Sequence, residues 1–168
     1  MIKKEAIILT AQIENVNGVP SAIYTRQINH SVVDVWSYLT ENGKLKQWFS
    51  ELEIITLQNN GKIRFHFGDG SYESIAITEV VENKVFAFTW PPKNSVRFEL
   101  EENDQGCKLV FIEYLHEITD HTAKDLTGWH VCLDVIETLL DGKTIEDRQS
   151  YWQERLPQYQ DLLREASI

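Results

Sequence analysis

Positive charge, cysteine and long apolar runs are all scarce in this chain of 168 residues, and each scarcity removes a class of function. Lys and Arg number 16 against 26 Asp and Glu, a net charge of −10 that excludes nucleic-acid and anionic-membrane partners, since both need a basic footprint. No apolar run approaches the ~18 residues of a spanning helix. The stretch Met1-Ile2-Lys3-Lys4-Glu5 lacks the apolar core of a signal peptide, so a cytoplasmic protein without membrane insertion is expected. Cys107 and Cys132 are the only cysteines; each sits among apolar neighbours, so reduced, packed thiols are expected rather than a disulfide.

Chemical motifs are equally thin. There is no G-x-S-x-G, no glycine-rich phosphate loop and no H-E-x-x-H, and the five histidines show no ligand spacing. His116 and His121 fall in an expected loop, whereas a catalytic zinc needs three converging protein ligands. Neither a metal nor a cofactor is expected. No repeat, linker or low-complexity tract interrupts the chain, which implies one domain over 1–168, with a core of about 6–142 and a helical tail over 143–168.

What the sequence does contain is a regular series of turn signals: Asn59-Asn60-Gly61, Asp69-Gly70, Glu82-Asn83-Lys84, Pro91-Pro92-Lys93-Asn94 and Asn103-Asp104-Gln105-Gly106. Between them, segments rich in β-branched and aromatic residues predict strands over 51–58, 61–67, 72–81, 84–90, 95–102 and 106–116. Upstream, Asn17-Gly18 separates 6–15 from 21–29 and predicts one or two more. Alternation assigns the inner face. Ile63, Phe65 and Phe67 share one parity, as do Phe86, Phe88 and Trp90, and Val96, Phe98 and Leu100. The same rule carries Glu79 inward with Ile75 and Ile77, and Glu113 inward with Leu109 and Phe111. An inward carboxyl among such neighbours is desolvated, which makes Glu113 the sharpest candidate for chemistry and Glu79 the next. Val110, Ile112 and Tyr114 make the other side of the last strand apolar too, and either the tail or an oligomer partner is expected to cover it, the tail before the partner.

Ser31 with Asp34 predicts a capping box, followed at helical spacing by Val35, Trp36 and Leu39. Thr40 is expected to cap a second short helix carrying Leu45, Trp48 and Phe49, and Thr144 with Asp147 to cap the tail, which Pro157 should kink or split. The segment Leu126–Leu140 predicts a long helix. Leu126, Trp129, Leu133, Ile136 and Leu140 form one stripe, and Gly128, Cys132, Val135 and Leu139 the next, so about half the circumference is apolar. His130, Asp134, Glu137 and Asp141 fall on the remaining side, expected to face water with a surface His130–Asp134 pair. A helix with so wide an apolar arc must be gripped by a concave surface.

The order of strand, two short helices, strand meander and long C-terminal helix resembles the helix-grip fold of the START-like (SRPBCC) superfamily. Within it the chain is similar to the branch called activator of heat-shock-protein-90 ATPase homologue-like. The resemblance is carried by Val35-Trp36, Leu39-Thr40, Trp48-Phe49, Glu79-Val80, Phe88-Thr89-Trp90, the Val96–Leu100 strand and above all Gly128-Trp129-His130-Val131-Cys132-Leu133-Asp134, with Trp152 and Tyr159 in the tail. It implies an α+β fold, a curved antiparallel sheet wrapped around the long helix and enclosing an apolar cavity. Superfamily relatives bind lipids, sterols, flavonoids or polyketides; some catalyse cyclisation and some act as co-chaperones. Such relatives often carry a histidine where Glu113 stands, so the implied polar contact is here an acid.

The expected function is binding of a small hydrophobic or amphipathic molecule. Its walls would come from Trp129, Leu133 and Ile136 on the long helix and from Phe65, Ile77, Phe88, Trp90, Phe98 and Phe111 on the sheet. Trp36 and Trp48 would add aromatic edges, and Glu113 would orient the polar end. Two alternatives stand beside it: a co-chaperone-like module stimulating a chaperone ATPase, and a cyclase or hydrolase using Glu113. The chain is expected to be a monomer or homodimer.

Overall fold

A computed structural model describes residues 10–167. The chain opens with a hairpin, β1 (Gln12–Val16) and β2 (Val19–Ile28), followed by helices α1 (Val32–Thr40) and α2 (Asn42–Trp48). Six strands follow: β3 (Leu52–Thr56), β4 (Lys62–His66), β5 (Tyr72–Val81), β6 (Val85–Trp90), β7 (Asn94–Asn103) and β8 (Gly106–Tyr114). Helices α3 (Thr122–Leu140) and α4 (Arg148–Glu165) complete it. The eight strands form one antiparallel sheet in the order β1-β2-β8-β7-β6-β5-β4-β3. Neighbouring strands are consecutive in sequence everywhere except β2–β8, the pairing that sets the first hairpin beside the last strand. The expected strand at 6–15 is present from Gln12; residues 6–9 lie outside the described range.

Local chemistry explains the turns. Asn17 (φ 51°) and Gly18 (φ 86°) both adopt positive φ, as a two-residue type I′ hairpin requires. The hydroxyl of Ser31 accepts from the Asp34 N–H and starts α1 as the spacing predicts. Thr40, by contrast, ends α1, donating to the Trp36 carbonyl at 2.8 Å, and Glu41 is the N-cap of α2. Asn42 instead ties α2 to β3, its amide bonding both the N–H and the carbonyl of Ile54 at 2.7 and 2.8 Å.

The inner face follows the alternation, with two corrections. A register shift between Ile77 and Glu79 turns Glu79 outward, where its carboxylate accepts from Arg97 at 2.7 Å. One extra residue reverses the parity of everything beyond it. Phe67 lies past the end of β4 and is 57% exposed, since no neighbouring element covers that hairpin tip.

Helix α3 lies on the inner face, and α4 packs against α3 rather than against the outer side of β8. The tail therefore does not cover Val110, Ile112 and Tyr114; Ile112 is buried between cross-strand neighbours Ile23 and Arg97, and the other two are half-buried. The wide apolar arc of α3 is thus gripped from two sides. That arrangement also overturns half of the expected wet face: Asp141 is exposed and Glu137 partly so, but His130 is 3% exposed and Asp134 largely buried, so their pair forms under α4 rather than at the surface. Asp147, not Thr144, caps α4 by accepting from the Ser150 N–H. Nor does Pro157 split the tail. Its ring sits on the exposed side of a continuous helix whose Arg155, Tyr159 and Leu163 are buried.

Candidate functional site

The space between α3 and the sheet is filled largely by aromatic rings. Trp129, projecting from the middle of α3, packs on Phe111 at 4.5 Å between centroids, on Trp90 at 5.0 Å and on Phe98 at 6.3 Å. Phe98 meets Phe111 at 4.6 Å. Ile77, Phe88, Phe98, Phe111, Leu133 and Ile136 are all buried in this core. Trp36 packs edge-on against Phe86, at 6.3 Å. Phe65 is half-buried and bridges Phe49 and Trp90.

Open space begins where that packing ends. A groove of about 440 Å³ runs between α2, the end of β6, α3 and the start of α4. Trp48, Trp90 and Trp129, expected from the sequence, line it together with Phe49 and Trp152, which the candidate set omitted. Trp152 carries a readable signal, since it heads the tail stripe Trp152, Leu156, Tyr159 and Leu163. The polar lining is Ser50, Glu51, Lys124, Asp125, Arg148 and Gln149, none of them marked by any motif. Arg148 reaches back across the groove, donating to the Trp48 carbonyl at 3.1 Å and lying 3.8 Å from the Cys132 sulfur. Burial pushes the Cys132 thiol up to about 12, so it stays protonated and unreactive at neutral pH. A second groove of about 540 Å³ shares Trp90, Lys124 and Asp125 with the first and extends past Pro91–Asn94 to Thr119 and His121.

Behind the shared wall stands Glu113, completely buried on β8. Asn94 donates to one of its oxygens at 3.3 Å, and the other has no hydrogen-bond partner among the described residues. Burial raises its pKa well above the ordinary carboxyl value, and the adjoining Asp125 carboxyl adds to the shift, both favouring the neutral acid. Asp125 in turn accepts from the Trp90 indole at 3.0 Å and faces both grooves. The structure thus places the predicted acid one residue back from open space, with Asp125 in front. Asp125 lies one turn before Trp129 on the same helical stripe, a placement that alternation along β8 could not reveal. Glu79, the other candidate acid, lies on the opposite side of the sheet.

The groove wall supplied by α4 is fixed by a polar network. The Tyr159 hydroxyl accepts from the Ala11 N–H at 3.1 Å and sits 2.7 Å from Nδ1 of His130. Nε2 of His130 lies 3.3 Å from Asp134, which also bonds Arg26 and, at 2.6 Å, the Tyr151 hydroxyl. Burial alone would raise the Asp134 pKa; the His130 hydrogen bond, Arg26 and Tyr151 outweigh it and hold the carboxylate far below its usual range.

Comparison with known proteins agrees with this architecture. Among solved structures, a conserved protein of unknown function from Enterococcus faecalis is 30% identical, with 91% of each chain covered and a TM-score of 0.72. CalU16 from Micromonospora echinospora is 19% identical over 92% of this chain and 96% of that one, with a TM-score of 0.73. The Aha1 dimer from Colwellia psychrerythraea is 22% identical over 71% and 95%, with a TM-score of 0.61. A search of curated proteins gives no match. Among the described residues no helix is long and apolar enough to cross a membrane. Residues 29–141, from the loop before α1 to the end of α3, match the family described as Activator of Hsp90 ATPase homolog 1-like protein, and the chain belongs to that family.

Proposed function

We propose that this protein binds a small hydrophobic or amphipathic molecule in the groove between α2, Trp90, α3 and α4. One observation carries the reading: Trp48 and Phe49 at the end of α2, Trp90 of β6, Trp129 of α3 and Trp152 of α4 line a shared opening of about 440 Å³. That size lies in the range of small-molecule sites, ~300–1,000 Å³, and the mixture of apolar walls with a few polar groups is typical of them. A ligand burying ~300 Å² of apolar surface gains roughly 7 kcal/mol before association costs, which is consistent with micromolar affinity. Its polar end would meet the polar part of the lining, where Lys124, Arg148 and Gln149 stand. Thermal-shift screening against apolar and amphipathic compounds is the test, because a bound ligand must raise the melting temperature by linkage. Hits should be lost in Trp152→Ala; a broad library that shifts nothing overturns the reading.

A second reading, action on a chaperone ATPase, is favoured by exposed Phe67 and Tyr72 either side of the β4–β5 turn, 57% and 47% accessible. It expects stimulated ATP hydrolysis that Phe67→Ser removes. Unchanged hydrolysis on adding the protein rejects it.

A further inference from the structure

We propose that the groove's ligand is a carboxylate: an apolar body laid against the tryptophans, with its anionic head on the Arg148 guanidinium. The inference rests on the ligand-binding reading above and specifies the chemistry of the molecule. Arg148 leads α4 into the groove, where one terminal nitrogen donates to the Trp48 carbonyl and the Cys132 sulfur, while among the described residues its other terminal nitrogen and Nε have no acceptor. Among the described residues it makes no ion pair within 4.0 Å, although the chain carries ten more acids than bases. By contrast, Arg26, Arg97 and Arg155 each face two carboxylates. A planar fork anchored on one side and open on the other suits bidentate capture of a carboxylate better than a diffuse cation would.

Four other titratable groups line this groove. Cys132 stays a neutral thiol, so it offers Arg148 no counter-charge. Lys124 lines the far end of the same groove and adds positive potential. Glu51 is the internal competitor: it lines the groove, accepts from the Ser50 hydroxyl at 3.1 Å and stops short of an ion pair with Arg148. Asp125 is directed elsewhere, towards the Trp90 indole. Binding of a carboxylate therefore completes a charge pair that the fold leaves open, and removing Glu51 should make that easier.

The test uses one apolar body with three head groups: pyrenebutyrate, pyrenebutanol and pyrenebutylamine, titrated into the intact protein and followed by energy transfer from tryptophan to pyrene. The acid should bind at least about tenfold more tightly than the alcohol, the ratio expected from one charge-assisted hydrogen bond, and the amine most weakly. Arg148→Gln should bring the acid to the level of the alcohol while leaving the alcohol unchanged, and Glu51→Gln should tighten the acid alone. If Arg148→Gln lowers the melting temperature, Arg148→Lys, which keeps the charge and loses the fork, replaces it and should weaken the acid selectively. Equal binding of acid and alcohol, or preference for the amine, overturns the carboxylate inference and leaves the groove reading standing. Failure of all three to bind overturns both.

Discussion

Replacing Glu113 with glutamine should stabilise the protein at neutral pH and leave it unaffected in acid. Glu113 is fully buried, and burial followed by the neighbouring Asp125 carboxyl raises its pKa in the fold well above the unfolded value of 4.5. The folded state therefore holds a proton that the unfolded chain releases as the pH rises past 4.5. Stability from this group is complete below that value and is lost progressively up to the folded pKa, with a slope approaching 1.4 kcal/mol per pH unit. Glutamine keeps the shape and cannot ionise. Its carbonyl can accept from Asn94, as one carboxyl oxygen does now, and its amide can donate towards Asp125 from the position of the oxygen that has no partner. Urea unfolding of both proteins at intervals from pH 4 to 8 isolates the effect, because every other titrating group is common to the two. The difference should be near zero at pH 4 and grow in favour of the variant through neutrality. Parallel stability curves for the two proteins would refute a raised Glu113 pKa, and so would a uniform loss in the variant.

Three further changes test the frame around the groove. Tyr159→Phe removes the hydroxyl shared by the Ala11 N–H and His130, leaving buried groups unpaired at about 1–3 kcal/mol each, read as a fall in the urea midpoint. Asp134→Asn breaks the buried contacts with His130, Arg26 and Tyr151 and should cost about 3–5 kcal/mol at pH 7. Because the folded pKa of Asp134 is depressed, its contribution is present above the unfolded value of 3.8 and lost below it, so the gap between variant and wild type should narrow in acid titrations. Gly106→Ala places a Cβ 2.6 Å from the Ile28 carbonyl oxygen at a φ of +132°, and the strained backbone alone should cost about 1–3 kcal/mol, seen as a lower melting temperature.

Much of this fold was legible because two-residue alternation and turn chemistry are local signals. Asn17-Gly18 and the six strands from β3 to β8 follow from residues a few positions apart, and so does the inward set Val96, Phe98 and Leu100. Errors arise where a distant partner decides. A single extra residue near Thr78 sends Glu79 outward, and no pattern in 72–81 marks it. His130 and Asp134 read as a wet stripe because periodicity records hydrophobicity and cannot register a polar surface that finds polar partners. Those partners, Tyr151, Arg155 and Tyr159, are 17 to 29 residues away in the tail. The tail was expected on β8, whose outer side is apolar; it went instead to the side of α3 where buried charge needed pairing.

That choice shapes the site. The residues of α4 that reach the groove, Arg148, Gln149 and Trp152, belong to its first two turns, whereas Tyr159, which fixes the helix to His130 and Ala11, lies two turns further on. A wall held by directional polar bonds has a defined height above α3, because hydrogen bonds weaken steeply with distance and angle while apolar contact tolerates sliding. The sheet-facing half of α3 is filled by Phe98, Phe111 and its own Trp129, leaving little freedom there. Tyr151, in the first turn of α4, bonds Asp134 as well, and Arg148 bonds the Trp48 carbonyl, so both ends of that wall are tied down and the width of the groove is set by the polar network rather than by apolar contact.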